Sequence, residues 1–195
     1  MDKKLLDLPT ALETQRLIVR RYVPGDAPAY LGMCRDNRDH LLPYEAENPV
    51  RGVETLEQAE ALVREFYDGW NARTVFFFGA WEKDSGAFAA QIYLGVDNWR
   101  LPEFILGYFA DHAHEGRGFV TEAARAVLGF TFGHLRARRV RLWCHETNTR
   151  SWRVAERLGF VREGYLRETN NWILLPDGGL SGDYVYGLLR REFEA

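Results

Sequence analysis

The 195-residue sequence predicts an α/β domain built on a mixed sheet. Three observations carry this. Strand-length runs of β-branched and aromatic residues interleave with stretches of helical apolar period. Lys83-Asp84-Ser85-Gly86 has the composition of a tight hairpin turn between two such runs. The stretch from Glu103 to Leu135 reads as a strand, a polar loop with two close glycines, and a long helix.

Taken in order, Arg16 to Arg21 alternates and is β-branched, so it forms the first strand. Pro24-Gly25-Asp26 ends it, and Asp26 caps a helix from about Ala27 to Arg35. Asp36 to Gly52 shows no firm period and reads as a loop or broken helix. Thr55 caps a second helix, with Leu56, Ala59, Leu62, Val63, Phe66, Tyr67 and Trp70 on its inner face. Val75 to Trp81 is a strand, and Ala87 to Leu94 returns antiparallel after the hairpin turn.

Phe104, Leu106 and Tyr108 lie on one face of the next strand, Ile105 and Phe109 on the other. Both faces are apolar, which places this strand centrally. The third helix starts near Phe119 and buries Ala123, Ala124, Val127, Leu128, Thr131 and Leu135. Val140 to His145 is a strand. Asn148 opens a short helix that buries Val154, Ala155 and Leu158 and stops at Gly159. Phe160 to Leu166 and Tyr184 to Leu189 are the last strands, separated by a turn at Pro176-Asp177-Gly178-Gly179. The helices number about four, and with no repeat or linker residues 1–195 read as one domain.

Composition narrows the function. A net charge of −3 gives no reason to expect DNA or an acidic membrane as partner. The basic run Arg136 to Arg141 follows a helix end, where cations are favoured structurally. Cys34 and Cys144 form no metal-ligand spacing and no disulfide framework, so no metal is expected. The opening residues are too charged for a signal peptide, and no apolar run nears the ~20 residues of a membrane span. A cytoplasmic location is expected.

The loop His112 to Gly118 points to chemistry. A helix N-terminus carries unpaired N–H groups and a partial positive charge. Gly116 and Gly118 would let a phosphate approach the backbone, and Arg117 adds a cation. A strand–turn–helix corner whose glycines only relieve crowding would look the same.

The stretches HEGRGFVTEAARAVLGFTFGHL and ETNTRSWRVAERLGFVREGYLRE together resemble the acetyl-CoA-binding core of the GNAT superfamily of N-acetyltransferases. The resemblance rests on Gly116 and Gly118 in the loop, on Asn148 and Ser151 as Asn-x-x-Ser, and on Leu158-Gly159-Phe160. The opening Leu12 to Ile18 and the closing Asp183-Tyr184-Val185-Tyr186 resemble its Rim-type branch, which acetylates N-terminal amines of ribosomal proteins. Ala113 departs from the pattern, which wants Gln or Arg there, and Leu41 to Gly69 is unmatched.

This resemblance implies a mostly antiparallel, twisted sheet that splays at its central strands, with acetyl-CoA as co-substrate and an amine as acceptor. Pantetheine would pair with the strand at Tyr108, Phe109 and Ala110, and Asn148 would hold one of its amides. The pyrophosphate would lie on the backbone of Glu115, Gly116, Arg117, Gly118 and Phe119. Arg150 or Arg153 would reach the 3′-phosphate. An N–H near Phe109 would stabilise the oxyanion. Ser151 would protonate the leaving thiolate, with Tyr165 and Tyr108 as rivals.

Glu103 is the expected general base, so Glu103→Gln should lower kcat at least ~10-fold. The acceptor, a protein N-terminus such as a ribosomal protein's, or a small amine, would meet some of Tyr44, Trp70, Trp81, Tyr93 and Trp172. Glu45 and Glu47 would attract its charge. A non-catalytic acyl-CoA-binding module is the alternative class, and exposed edge strands leave room for a homodimer.

Overall fold

The computed structural model describes residues 3, 6–45, 48–176 and 178–193; for 170–174 it describes the backbone alone. Glu47 and Asp177 lie outside the described residues, as does the side chain of Trp172.

Eight strands form a single sheet in the order β1-β2-β3-β4-β5-β6-β8-β7. They are β1 (Ala11–Glu13), β2 (Leu17–Arg21), β3 (Val75–Glu82), β4 (Phe88–Asn98), β5 (Glu103–Ala110), β6 (Arg139–His145), β7 (Val161–Leu174) and β8 (Leu180–Leu189). The helices are α1 (Ala27–Leu41), α2 (Leu56–Ala72), α3 (Phe119–Gly133), α4 (Thr149–Arg157) and the short α5 (Arg190–Phe193). Each neighbouring pair of strands is antiparallel except β5 and β6. No helix among the described residues is long and apolar enough to cross a membrane.

That exception shapes the molecule. The parallel pairing runs only from Glu103 opposite Arg139 to Ile105 opposite Arg141. Beyond it β5 continues to Ala110 beside β4, while β6 continues to His145 beside β8. The sheet therefore opens between the two strands, leaving backbone groups unpaired along both edges.

The two sheet faces bury different sets. Phe76, Phe78, Ile92, Leu94, Phe104, Leu106, Val140 and Leu142 pack under α3 and α4 with Ala123, Ala124, Val127, Leu128, Ala155 and Leu158. On the other face Tyr22, Tyr30, Phe66 and Phe109 pack with α1 and α2. The face assignment of β5 holds, but its α1/α2 side is fully buried only at Phe109; Ile105 is half-buried.

Several elements differ from expectation. A short strand β1 precedes the first expected one. The first helix runs on to Leu41, because wholly buried Asn37 anchors its last turns: its amide donates to Asp111 Oδ1 at 2.8 Å and to the Met33 carbonyl at 3.0 Å. Leu56 is exposed rather than inward, since it is the first residue after the Thr55 cap. β4, β7 and β8 are longer than read, and α5 was not expected.

Candidate active site

The splay places two cavities back to back. The first, about 360 Å³, lies at the end of β5, between the loop before α3, the start of α4 and the segment after α1. The second, about 460 Å³, lies on the α1/α2 side of β5. Tyr44, Glu45, Tyr108 and Phe109 line both, so these four residues mark where the cavities meet.

The loop is built to expose backbone. Gly116 and Gly118 take φ of +73° and +78°, the left-handed region that a Cβ disfavours. No side chain caps α3, whose first turn closes with Glu122 N on the Gly118 carbonyl at 3.1 Å. The N–H groups ahead of that bond are available to a ligand.

Two struts hold the loop. On one side Glu122 accepts from Thr14 Oγ1 at 2.6 Å, Arg16 N at 2.8 Å and Arg16 Nε at 2.7 Å, while Arg16 Nη1 donates to the Arg117 carbonyl at 2.9 Å. On the other, Asn37 accepts from His112 N at 2.9 Å, and Asp111 faces His114 Nδ1 at 2.7 Å. Burial opposes ionisation of Asp111, but His114 and the Asn37 amide outweigh it and hold the carboxyl below its ordinary range.

The free edge of β5 follows from one bond. Asp111 N donates to the Ala89 carbonyl of β4 at 3.0 Å. In an antiparallel ladder bonded residues alternate, so Phe109 and Gly107 also turn their N–H and C=O towards β4. Tyr108 and Ala110 turn theirs to the open side, where β6 has diverged.

α4 supplies the opposite wall. Asn148 caps it, its Oδ1 accepting from Ser151 N at 3.1 Å. Tyr108 Oη donates to the Ser151 carbonyl at 2.8 Å, and burial pushes the Tyr108 hydroxyl well above the ordinary tyrosine range. Overhead, Tyr44 Oη donates to the Thr147 carbonyl at 3.3 Å, so the segment after α1 spans the first cavity.

The family profile described as Acetyltransferase (GNAT) domain matches residues 16–161. The chain belongs to this family. It is an acetyl-CoA-dependent N-acetyltransferase. The Escherichia coli (strain K12) [Ribosomal protein uS5]-alanine N-acetyltransferase is 28% identical over 184 residues, which is 86% of this chain and 84% of that protein. Two solved structures share the fold. The ribosomal-protein-S5-alanine acetyltransferase of Vibrio fischeri superposes with a TM-score of 0.80 at 18% identity, covering 96% of this chain and 100% of that one. Mycobacterium smegmatis RimJ, solved with CoA-disulfide, gives 0.80 at 20% identity, covering 100% and 93%.

The residues of this acetyltransferase suit its co-substrate. An uncapped helix start with two left-handed glycines has the geometry for a diphosphate, and the open edge of β5 has unpaired backbone that could pair with an amide chain. Tyr108, Phe109, Ala110, Glu115, Gly116, Gly118, Phe119, Asn148, Ser151 and Arg153 all line the first cavity, with Arg150 and Arg157. Arg117 does not: its guanidinium pairs with Glu82 at 2.7 Å and stacks 4.6 Å from the Phe119 ring. The Glu115 carboxylate is matched by Arg150 and by His40 at 3.3 Å. The described residues include no group of three or more His, Cys, Asp or Glu placed to hold a metal ion.

Glu103, the expected base, is placed apart from the junction. It lies at the start of β5, where the strands are still paired, and its Oε1 meets Arg139 Nε at 3.0 Å and Arg141 Nε at 3.2 Å. It lines neither cavity. Arg139 also binds Glu163, and Arg141 meets Asp97 at 2.8 Å, so this part of the basic run serves the fold. Tyr165 likewise points elsewhere, donating to Glu146 at 2.9 Å.

Among the aromatics expected at the acceptor, Tyr44 and Tyr93 line the second cavity. Trp70 is buried against Phe76, Phe78 and Phe130, and Trp81 packs with Tyr22, Phe88 and the Arg20 guanidinium. Sequence reasoning missed Tyr30, Phe66, Phe77 and Gln91, which complete that cavity. The first three share helix or strand periods with core residues, and nothing in the sequence separates them from the core.

Proposed function

We propose that this acetyltransferase, acting as a single domain, acetylates a protein N-terminal α-amine. The observation that carries this is the junction of the two cavities at Tyr44, Glu45, Tyr108 and Phe109. An acetyl-CoA laid along β5 presents its thioester there, and an amine arriving through the second cavity meets it. The aromatic rings of that cavity and its Glu45 suit a cationic amine with apolar surroundings. The E. coli relative, whose name gives a ribosomal-protein alanine as substrate, supports the α-amine over a small-molecule amine.

The pantetheine amides pair with the outward backbone of Tyr108 and Ala110, and Asn148 both caps α4 and meets an amide. The diphosphate lies on the N–H groups from Glu115 to Phe119, with Arg153 towards the 3′-phosphate. The neutral amine attacks the thioester carbonyl. The oxyanion takes its hydrogen bond from an outward N–H, that of Tyr108 or Ala110 rather than Phe109. Ser151 gives the thiolate its proton, because the Tyr108 hydroxyl already donates to the Ser151 carbonyl.

The test incubates acetyl-CoA with N-terminal peptides and small amines and reads each by mass. Gain of one acetyl group at peptide α-amines is the expected result. Acetylation confined to small amines would reject the α-amine reading, and tight CoA binding with no turnover would favour the non-catalytic module.

A further inference from the structure

Glu103 lines neither cavity, so a proton acceptor at the junction must be sought among other residues. A protonated amine has no lone pair, so one must be present near the thioester. Among the described residues lining the second cavity, Glu45 is the one carboxylate. It also lines the first cavity, which puts it at the crossing point of acceptor and cofactor.

We propose that Glu45 takes the proton from the acceptor amine as the amine reaches the thioester. The inference rests on the reading of the second cavity as the acceptor site.

The surroundings of Glu45 support the role. Its backbone is fixed at both ends: its N–H donates to the Leu41 carbonyl at 2.7 Å, and its carbonyl accepts from Asn48 N at 2.9 Å. The Asn48 amide donates to Oε2 at 3.2 Å, and no cation is paired with the carboxylate among the described ion pairs. Burial pushes the carboxyl above the ordinary carboxylate range, opposed by the Asn48 amide, while exposure at the cavity mouth lets solvent screen part of this. A base with a raised pKa is better matched to a proton leaving near neutral pH.

The other titratable groups facing the junction are committed or unsuited. Glu115 is held by Arg150 and His40, and His114 by Asp111. Tyr30, Tyr93 and Tyr108 are all raised by burial and stay neutral, and the Tyr44 hydroxyl is committed to the Thr147 carbonyl. Arg153, from α4, is a permanent cation.

The step balances. The ammonium gives one proton to the Glu45 carboxylate, and the freed lone pair forms the N–C bond. The C–S bond breaks, its electron pair leaving on sulfur, which takes a proton from Ser151. The second nitrogen proton, shed as the tetrahedral centre collapses, replaces the one Ser151 gave. Glu45 returns its own to water.

The experiment compares wild type, Glu45→Gln and Glu45→Asp for kcat, KM and the pH–rate profile, with the best amine from the panel. Matched melting curves confirm folding, and calorimetry reads acetyl-CoA binding. Glu45→Gln is expected to lose at least ~30-fold in kcat and the acidic limb of the profile, and Glu45→Asp to restore part of both. Acetyl-CoA Kd is expected to move less than ~3-fold.

A Glu45→Gln enzyme with the wild-type profile overturns the proposal. So does a raised KM at unchanged kcat, which would make Glu45 an anchor for charge. If only small amines are acetylated, the α-amine reading fails while the same comparison still decides Glu45. A wild type that releases no thiol with any amine overturns both.

Discussion

Replacing Glu122 by Gln should both destabilise the fold and loosen the cofactor loop. Glu122 accepts three bonds, from Thr14 Oγ1, Arg16 N and Arg16 Nε, at 2.6, 2.8 and 2.7 Å. A bond to a charged acceptor contributes ~1.5–3 kcal/mol, against ~1 for a neutral one. Arg16 is 44% exposed, so water trims its ion-pair share to ~1 kcal/mol or less. The glutamine also turns an N–H₂ towards the Arg16 guanidinium. The sum is a loss of ~2 kcal/mol at pH 7, or ~4–8 °C in Tm for a domain of this size.

Burial opposes ionisation of Glu122, but Thr14 and Arg16 outweigh it and hold the carboxyl below its ordinary range. A carboxyl lower in the folded than in the unfolded chain stabilises above its unfolded value, ~4.3, and loses that as pH falls through the folded value. The gap between wild type and variant should therefore close below about pH 4. Because Arg16 also holds the Arg117 carbonyl, acetyl-CoA Kd should rise ~5-fold. Urea melts at several pH values and calorimetry check this. A loss under ~0.5 kcal/mol at pH 7, or a gap that persists in acid, refutes the reasoning.

Three further outcomes are expected. Gly118→Ala meets only ordinary contact, Arg16 Nη2 at 3.6 Å, so the cost is the left-handed backbone, ~1–2 kcal/mol, read by denaturant midpoint alongside weaker acetyl-CoA binding. Asn37→Ala removes the amide donor to Asp111 Oδ1 and the acceptor of the His112 N–H, while His114 still holds Oδ2, costing ~2–3 kcal/mol by the same melt. Glu103→Gln should leave kcat within ~2-fold and cost stability by under ~1 kcal/mol, since its partners are Arg139 and Arg141; a ~10-fold fall in kcat would restore it as the base.

The parts legible in the sequence were those with local causes. Thr55 does cap α2, and Gln58 completes the reciprocal box, because both bonds span three residues. The stripe of α3 from Ala123 to Thr131 is buried as its period predicts, and Leu135, just past the helix, is buried with it. The loop glycines carried their left-handed conformation in their identity. What stayed hidden depends on distant contact. Asp36 to Asp39 looks like a helix end, and only the reach of Asn37 to Asp111, 74 residues away, explains why it is not. Glu103 and Glu45 look alike as exposed carboxylates. Nothing local tells that one faces two arginines and the other a cavity junction. The open edge of β5 was expected only through the family resemblance, since no local residue pattern tells that β6 leaves after three pairs.

The Tyr93 ring rests on bare backbone. Within the β4–β5 ladder Tyr93 faces Gly107, and Gly95 lies two residues along. A methyl group on Gly95 would come within 2.3 Å of the Tyr93 hydroxyl, and one on Gly107 would press its ring at 3.3 Å. Tyr93 forms one wall of the second cavity, so bulk added beneath the ring must tilt that wall. Single-methyl changes at these two glycines, of which only Gly107 lines the cavity itself, would thus reshape it from beneath.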